Sequence, residues 1–220
     1  MTHFGVLGGT FNPVHLGHLR AAEEVAEALC LTRVLLVPSA QPPHKEASAE
    51  DRLAPAEQRL AWVEAACADN PRLEACDLEL RRGGASYTVD TLRTLAAEAA
   101  SDRPTFLIGS DAFVEMGSWR DPEVVLGLSD FAVMNRPGTP GGLADWLPPG
   151  LRDGFELAPD GESARHRSGG AVRVVAISAL DISSSDIRAR ARSGRSLRYL
   201  LPEAVLRDVE ETGVFCQVLD

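Results

Sequence analysis

The sequence predicts a doubly wound, mostly parallel α/β sheet with a small C-terminal helical part. Three observations lead there. Apolar runs of strand length recur at residues 4–7, 34–37, 105–108 and 131–134. Such runs, apolar without alternation, suit strands covered on both faces. Amphipathic helical segments separate them, and strand–helix alternation of this kind builds a parallel sheet with helices on either side. Finally, the pair Gly8-Gly9 stands directly between the first apolar run and the first helical pattern, where such sheets turn from strand to helix.

The elements follow in order. Residues 4–7 form a first strand that ends at the glycine turn. In 16–29, Leu16, Leu19, Ala22, Val25 (or Ala26) and Leu29 fall on one helical face. Residues 34–37 are the second strand. Pro55 opens a second helix that runs to Cys67, with proline suited to a first turn. A third helix spans 88–99, and 105–108 and 131–134 are strands, the latter closed by Arg136-Pro137-Gly138. Residues 137–171, rich in Pro and Gly and polar over 160–170, read as an irregular, mobile insert. A later strand covers 172–177, and two helices follow at about 184–192 and 202–212. Residues 1–192 are thus read as one domain, with 193–220 a helical extension packed on it.

Composition narrows the functional classes. A hydrophobic share of 45% and a charged share of 25% are ordinary for a folded domain. The net charge of −10 argues against a nucleic-acid surface, which needs a basic patch or stripe. It leaves open a phosphorylated small molecule, for which a few local donors suffice. No apolar run approaches the roughly 20 residues of a membrane span, and the N-terminus reads as a strand rather than a signal peptide. A cytoplasmic protein is therefore expected; monomer and homo-oligomer both stay open. Cys30, Cys67, Cys76 and Cys216 show no metal-like spacing and read as small buried hydrophobes. Lys45 is the sole lysine among arginines.

The string Gly8-Gly9-Thr10-Phe11-Asn12-Pro13-Val14-His15-Leu16-Gly17-His18 carries the chemistry. Two glycines permit close approach of backbone to an anion and unusual dihedrals, and the helix start beyond them offers free amides and a positive dipole end. His15 and His18, three apart, share a helical face, with Gly17 leaving room for a ligand. Nucleotidyl transfer needs positioning and charge stabilisation rather than a covalent protein intermediate, and a histidine cation beside the bridging oxygen is the expected stabiliser. A second string, Leu180-Asp181-Ile182-Ser183-Ser184-Ser185-Asp186-Ile187-Arg188, joins a strand to a helix. Ser184 or Ser185 reads as the N-cap, and Arg188 can reach an anion held there.

The first string resembles the signature of the HxGH nucleotidyltransferase superfamily, and specifically the bacterial nicotinate-nucleotide adenylyltransferases. The second is similar to that family's ISSTxIR motif, with Ser185 in the threonine position. Asn12 stands where the family more often has Asp. Further segments agree: Pro42-Pro43-His44-Lys45, Ser86-Tyr87-Thr88, Gly109-Ser110-Asp111, Trp119 and Arg136-Pro137-Gly138.

The resemblance implies a Rossmann-like nucleotidyltransferase fold and transfer of the adenylyl group of ATP to nicotinate mononucleotide, a step of NAD biosynthesis, with Mg²⁺ accompanying ATP and no protein-held metal. It assigns catalysis to His15, His18, Lys45 and Arg188. ATP falls to Gly8, Gly9, Thr10, Phe11 and the two histidines, with Gly109, Asp111 and Arg136, and to Ile182, Ser183, Ser184, Ser185 and Arg188. The acceptor falls to Lys45, Tyr87, Thr88 and Trp119, the last stacking on the pyridine ring. Ile187 packs the site, and Trp62 and Trp146 are packing residues. Rival acceptors are phosphopantetheine and nicotinamide mononucleotide, and cytidylyltransferases of the same fold are a further rival. Rival classes are a non-catalytic ATP sensor and, disfavoured by charge, a class I aminoacyl-tRNA synthetase core.

Overall fold

The computed structural model describes residues 3–42, 52–98 and 103–216. β1 (Phe4–Gly9) leads to α1 (Leu16–Ala28), β2 (Arg33–Pro38), α2 (Ala56–Cys67) and β3 (Leu73–Ala75). Then come α3 (Leu78–Arg82), α4 (Thr88–Glu98), β4 (Thr105–Gly109), α5 (Ser110–Glu115), α6 (Pro122–Leu128) and β5 (Asp130–Asn135). The chain closes with α7 (Leu143–Trp146), β6 (Phe155–Leu157), β7 (Ser163–His166), β8 (Ala171–Ala176), α8 (Ser184–Arg192) and α9 (Glu203–Thr212).

The eight strands among the described residues join one sheet in the order β3-β2-β1-β4-β5-β8-β7-β6. β1 pairs in parallel with β2 on one side and β4 on the other. The chain therefore winds outward from β1 to β3, returns, and winds outward again from β4. That reversal leaves a crevice at the carboxyl ends of β1 and β4, where such sheets bind ligands. Helices cover both faces. On one, α1, α2, α8 and α9 bury Val25, Trp62, Ile187 and Val205; on the other, α4, α5 and α6 bury Leu92, Phe113 and Leu126.

Every strand and helix named from the sequence is present, and the additions are short: β3, α3, α5 and α6 span three to seven residues. The stretch 137–171 departs from expectation. It is ordered into α7, a 3-10 helix at Pro149–Gly154 and the antiparallel strands β6 and β7, which extend the sheet beyond β8. Leu143 and Trp146 anchor it in the core. The Asp160 carboxylate accepts from the backbone N–H groups of Glu162 and Ser163 at 2.9 and 3.1 Å and shapes the β6–β7 turn. Prolines and glycines here punctuate short elements. The cysteines divide: Cys67 is buried and Cys76 half-buried, but Cys30 and Cys216 are exposed, just past the ends of α1 and α9. Among the described residues no helix is long and apolar enough to cross a membrane.

Apolar packing of Val205, Leu206 and Val209 seats α9 in the core, and one carboxylate ties it to α2. Asp208 Oδ2 on α9 accepts from the Trp62 indole N–H at 2.6 Å and from Gln58 Nε2 at 2.9 Å, both on α2. The Trp62 ring lies 5.8 Å from that of Phe215. Trp62→Phe keeps most of the apolar contact but removes a charge-assisted hydrogen bond, so urea unfolding should show a loss of about 1.5–3 kcal/mol. An unchanged midpoint would mean that this bond contributes nothing to holding α9.

Candidate active site

The site begins where β1 ends. Gly8 and Gly9 lie within the strand, paired with Val37 and Pro38, and neither has a left-handed dihedral. This corrects the expectation that they supply unusual backbone angles. Gly9 is needed for space, since a Cβ there would sit 3.1 Å from the Phe11 ring. Phe11 is the residue that turns the chain, at φ 47°. Its ring is buried and meets His18 edge-on at 5.0 Å, so it supports the histidine from below instead of lining a cavity.

His15 caps the start of α1 and His18 lies in its first turn. Their rings stack with centroids 3.6 Å apart and planes 24° apart. His18 Nδ1 accepts the His15 backbone N–H at 3.3 Å. A neutral His18 then carries its proton on Nε2, which is left to donate. Burial, and next the Arg136 charge, pull the His15 pKa down from 6.5 to about 4. Burial, then His15 and Arg136, hold His18 well below its ordinary value. Both imidazoles are thus neutral near pH 7 without substrate, and the expected histidine cation is not the resting form. Two cations stacked face to face in a half-dry site repel each other and lose hydration; a neutral N–H donor escapes both costs.

The histidines line the smaller of two adjoining cavities. The smaller, about 300 Å³, is lined by His15, His18, Asp111, Arg136, Ser183 and Ser184 among others, with Gly109 and Ile182. The larger, about 620 Å³, is lined by Gly8, Gly9, Thr10, Tyr87, Thr88 and Trp119. Leu7, Gly109 and Met134 face both, so the cavities adjoin across the ends of β1, β4 and β5. The expected ATP residues are therefore divided: Gly8, Gly9 and Thr10 lie on the side of the expected acceptor residues. Gly109 allows Asp111 its place, since a Cβ would lie 2.5 Å from Oδ1. Trp119 is half-buried and edge-on to Phe106 at 6.2 Å, and the Arg120 guanidinium lies 4.8 Å over the Tyr87 ring. Lys45 lies outside the described residues.

The serine string closes the small cavity from α8. Ser183, not Ser184 or Ser185, is the N-cap and accepts the Asp186 N–H at 3.1 Å. The Ser184 hydroxyl donates to the Pro13 carbonyl at 2.9 Å. Arg188 is buried and faces neither cavity; it donates to the Asn12 carbonyl at 2.8 Å and to the Ser185 hydroxyl at 3.4 Å. Asn12 itself is buried, donating Nδ2 to the Arg52 carbonyl and accepting the Ala54 N–H at Oδ1, each at 3.0 Å. An ionised aspartate could make only the second of these bonds.

Sequence reasoning passed over Arg59. Its side chain is fully buried, and burial presses its pKa down against the opposing pull of Glu57 and Glu79. It donates to the carbonyls of Ala54, Thr10 and Ala40 at 3.0, 2.8 and 3.2 Å. The available signal was a charge on the buried face of α2, three residues before Trp62, since arginine is almost never fully buried unless paired.

Residues 6–190 match the cytidylyltransferase-like family. The chain is 46% identical over 212 residues to a protein of Geobacter sulfurreducens named probable nicotinate-nucleotide adenylyltransferase, covering 96% of this chain and 97% of that one. A protein of the same name from Symbiobacterium thermophilum is 41% identical over 215 residues, 98% and 96% of the two chains. In fold, the chain is similar to the Plasmodium falciparum nicotinic acid mononucleotide adenylyltransferase complexed with NaAD, with TM-score 0.72, 14% identity and 98% of each chain covered.

Two outcomes follow from the histidine geometry. A Cβ at Gly17 would lie 3.0 Å from His15 Nδ1 and 3.2 Å from its Cε1. Gly17→Ala should displace the ring and lower turnover at least about tenfold, with stability maintained because alanine favours helix over glycine by about 1 kcal/mol. Wild-type turnover in that variant would exclude a need for the stacked arrangement. Stability should also respond to acid. Below pH 6.5 the unfolded chain takes up protons that folded His15 refuses until about pH 4. Unfolding free energy should then fall through that window by about 1.4 kcal/mol per pH unit per histidine, and His15→Asn should flatten the slope.

Proposed function

This chain belongs to the cytidylyltransferase-like family, and from that premise we propose that it transfers the adenylyl group of ATP to nicotinate mononucleotide. The products are nicotinate adenine dinucleotide and pyrophosphate. The observation that carries the reading is the stacked His15–His18 pair lining one cavity that adjoins a second, larger one across Leu7, Gly109 and Met134. The names of relatives 41–46% identical over nearly the whole chain support the same assignment.

ATP occupies the smaller cavity, its phosphates against His15, His18, the Arg136 guanidinium and the capped start of α8. Mg²⁺ enters with ATP on the phosphate oxygens. The acceptor occupies the larger cavity, its ring against Trp119 and its phosphate directed at the junction. A phosphate oxygen of the acceptor attacks the α-phosphorus; that O–P bond forms as the bond to the bridging oxygen breaks and pyrophosphate departs. The protein's part is alignment and charge stabilisation. His18 Nε2–H donates to the charge that grows on the transferring group. The approach of the triphosphate favours the protonated imidazole, so the bound site gains the cation that the empty one avoids. Arg120 adds a positive charge at the larger cavity, which suits an acceptor bearing a ring carboxylate.

Pyrophosphate release from Mg·ATP with a panel of acceptors tests the reading. Nicotinate mononucleotide should exceed nicotinamide mononucleotide and phosphopantetheine at least about tenfold in kcat/KM, because a carboxamide in place of the carboxylate leaves donors unpaired at about 1–3 kcal/mol. Preferred use of phosphopantetheine would overturn the assignment. His18→Ala should cost on the order of 10²–10³ in kcat while ATP binding is nearly retained, and an unchanged kcat would remove His18 from the chemistry.

A further inference from the structure

We infer that Arg59 is a positioning residue for the transfer, holding the loops of both substrates in one register; this rests on the adenylyl-transfer reading above. The inference stands on where its bonds go. Nη1 donates to the Thr10 carbonyl, in the loop between β1 and the histidines, and Nη2 to the Ala40 carbonyl, just past β2. Nε donates to the Ala54 carbonyl, ahead of α2, the helix that carries Arg59 itself.

Each tie reaches further. The Ala40 N–H donates to the Ser86 hydroxyl at 2.8 Å and the Gln41 N–H to the same oxygen at 3.3 Å. The Ser86 N–H returns to the Gln41 carbonyl at 2.9 Å. Ser86 directly precedes Tyr87 and Thr88 on the wall of the larger cavity. In the other direction, the Ala54 N–H is held by Asn12, whose own carbonyl is held by Arg188 on α8. One buried guanidinium therefore stands between the wall of the acceptor cavity and the loop that leads into the histidine pair.

The geometry of the Thr10 contact adds a direct consequence. In a trans peptide the N–H points opposite to the C=O, so fixing the Thr10 carbonyl on Arg59 turns the Phe11 N–H the other way. A guanidinium presents a rigid planar fork of donors, whereas a lysine ammonium is a single point on a flexible stem. Lysine can keep the charge but cannot span three carbonyls on separate segments.

The full-length protein carrying Arg59→Lys, Arg59→Met or Ser86→Ala is compared with wild type below each unfolding midpoint, varying ATP and nicotinate mononucleotide in turn. In Arg59→Lys, kcat should fall at least about tenfold and KM should rise for both substrates, since misplacement of about 1 Å costs as much as 10²-fold. In Ser86→Ala, only the acceptor KM should rise. Amide hydrogen exchange without substrate should quicken across residues 9–12 and 39–42 in Arg59→Lys. If Arg59→Met does not fold, the other two variants carry the test. Arg59→Lys with a lowered unfolding midpoint but kcat and both KM values within about twofold of wild type would make Arg59 a stability residue and overturn the inference. If wild type itself releases no pyrophosphate with nicotinate mononucleotide, the function reading fails separately. Exchange then tells the two failures apart: unchanged protection in Arg59→Lys overturns the inference on its own, whereas faster exchange leaves Arg59 as the tie between the loops and overturns only its role in transfer.

Discussion

A guanidinium with no exposed surface sits where three loops meet and holds one main-chain carbonyl of each, Thr10 among them on the wall of the larger cavity. Taking a cation out of water is expensive unless hydrogen bonds replace the lost hydration. Arg59 recovers them from main-chain oxygens of segments that sheet pairing leaves unpaired. Arg188 does the same from the opposite side, on the Asn12 carbonyl. The loop from Thr10 to Pro13 is thus gripped between two buried arginines and tethered by the Asn12 and Ser184 side chains. A loop held at four points by main-chain contacts loses little further entropy when a nucleotide arrives.

The histidines answer a different constraint. Burial is the main cause that keeps both imidazoles neutral, and at a 3.6 Å stack His15 lowers the His18 pKa further. The hydrogen bond from the His15 backbone to His18 Nδ1 chooses the tautomer that leaves Nε2–H free to donate. Phe11 below and the missing side chain at Gly17 keep the rings in place. Arg136, on the rim of the same cavity, lowers both pKa values as well.

Much of this was legible in the sequence, for reasons that can be named. Apolar runs such as Val34–Leu36 report burial on both faces directly, so the strands and their parallel pairing followed. The histidine string combined residue type, spacing and placement after a first strand, and each narrowed the others. Residues 137–171 misled because Pro and Gly mark turns equally in a mobile loop and in a ribbon of short strands. Only cross-strand pairs such as Phe155 with His166, formed after folding, separate the two. Gly8 and Gly9 misled in a related way: glycine serves either dihedral freedom or close packing, and sequence does not say which. Arg188, expected at the ATP phosphates, donates to the Asn12 carbonyl and the Ser185 hydroxyl, because a motif shows which residue is used but not which way it points.

Arg59 shows where linear reading ends. Its three acceptors are main-chain carbonyls at positions 10, 40 and 54, and carbonyls leave no trace in side-chain identity. A residue that binds backbone lets the loops it organises carry whatever side chains their substrates demand. That arrangement suits a fold in which the same phosphate chemistry serves different acceptors. The acceptor wall at Ser86, Tyr87 and Thr88 is reached through Ala40, and the histidine loop through Thr10, so each wall can change its contacts while the distance between them stays set from behind. The spacing of the two loops is set by one planar group that bonds to the Thr10 carbonyl in one and the Ala40 carbonyl in the other.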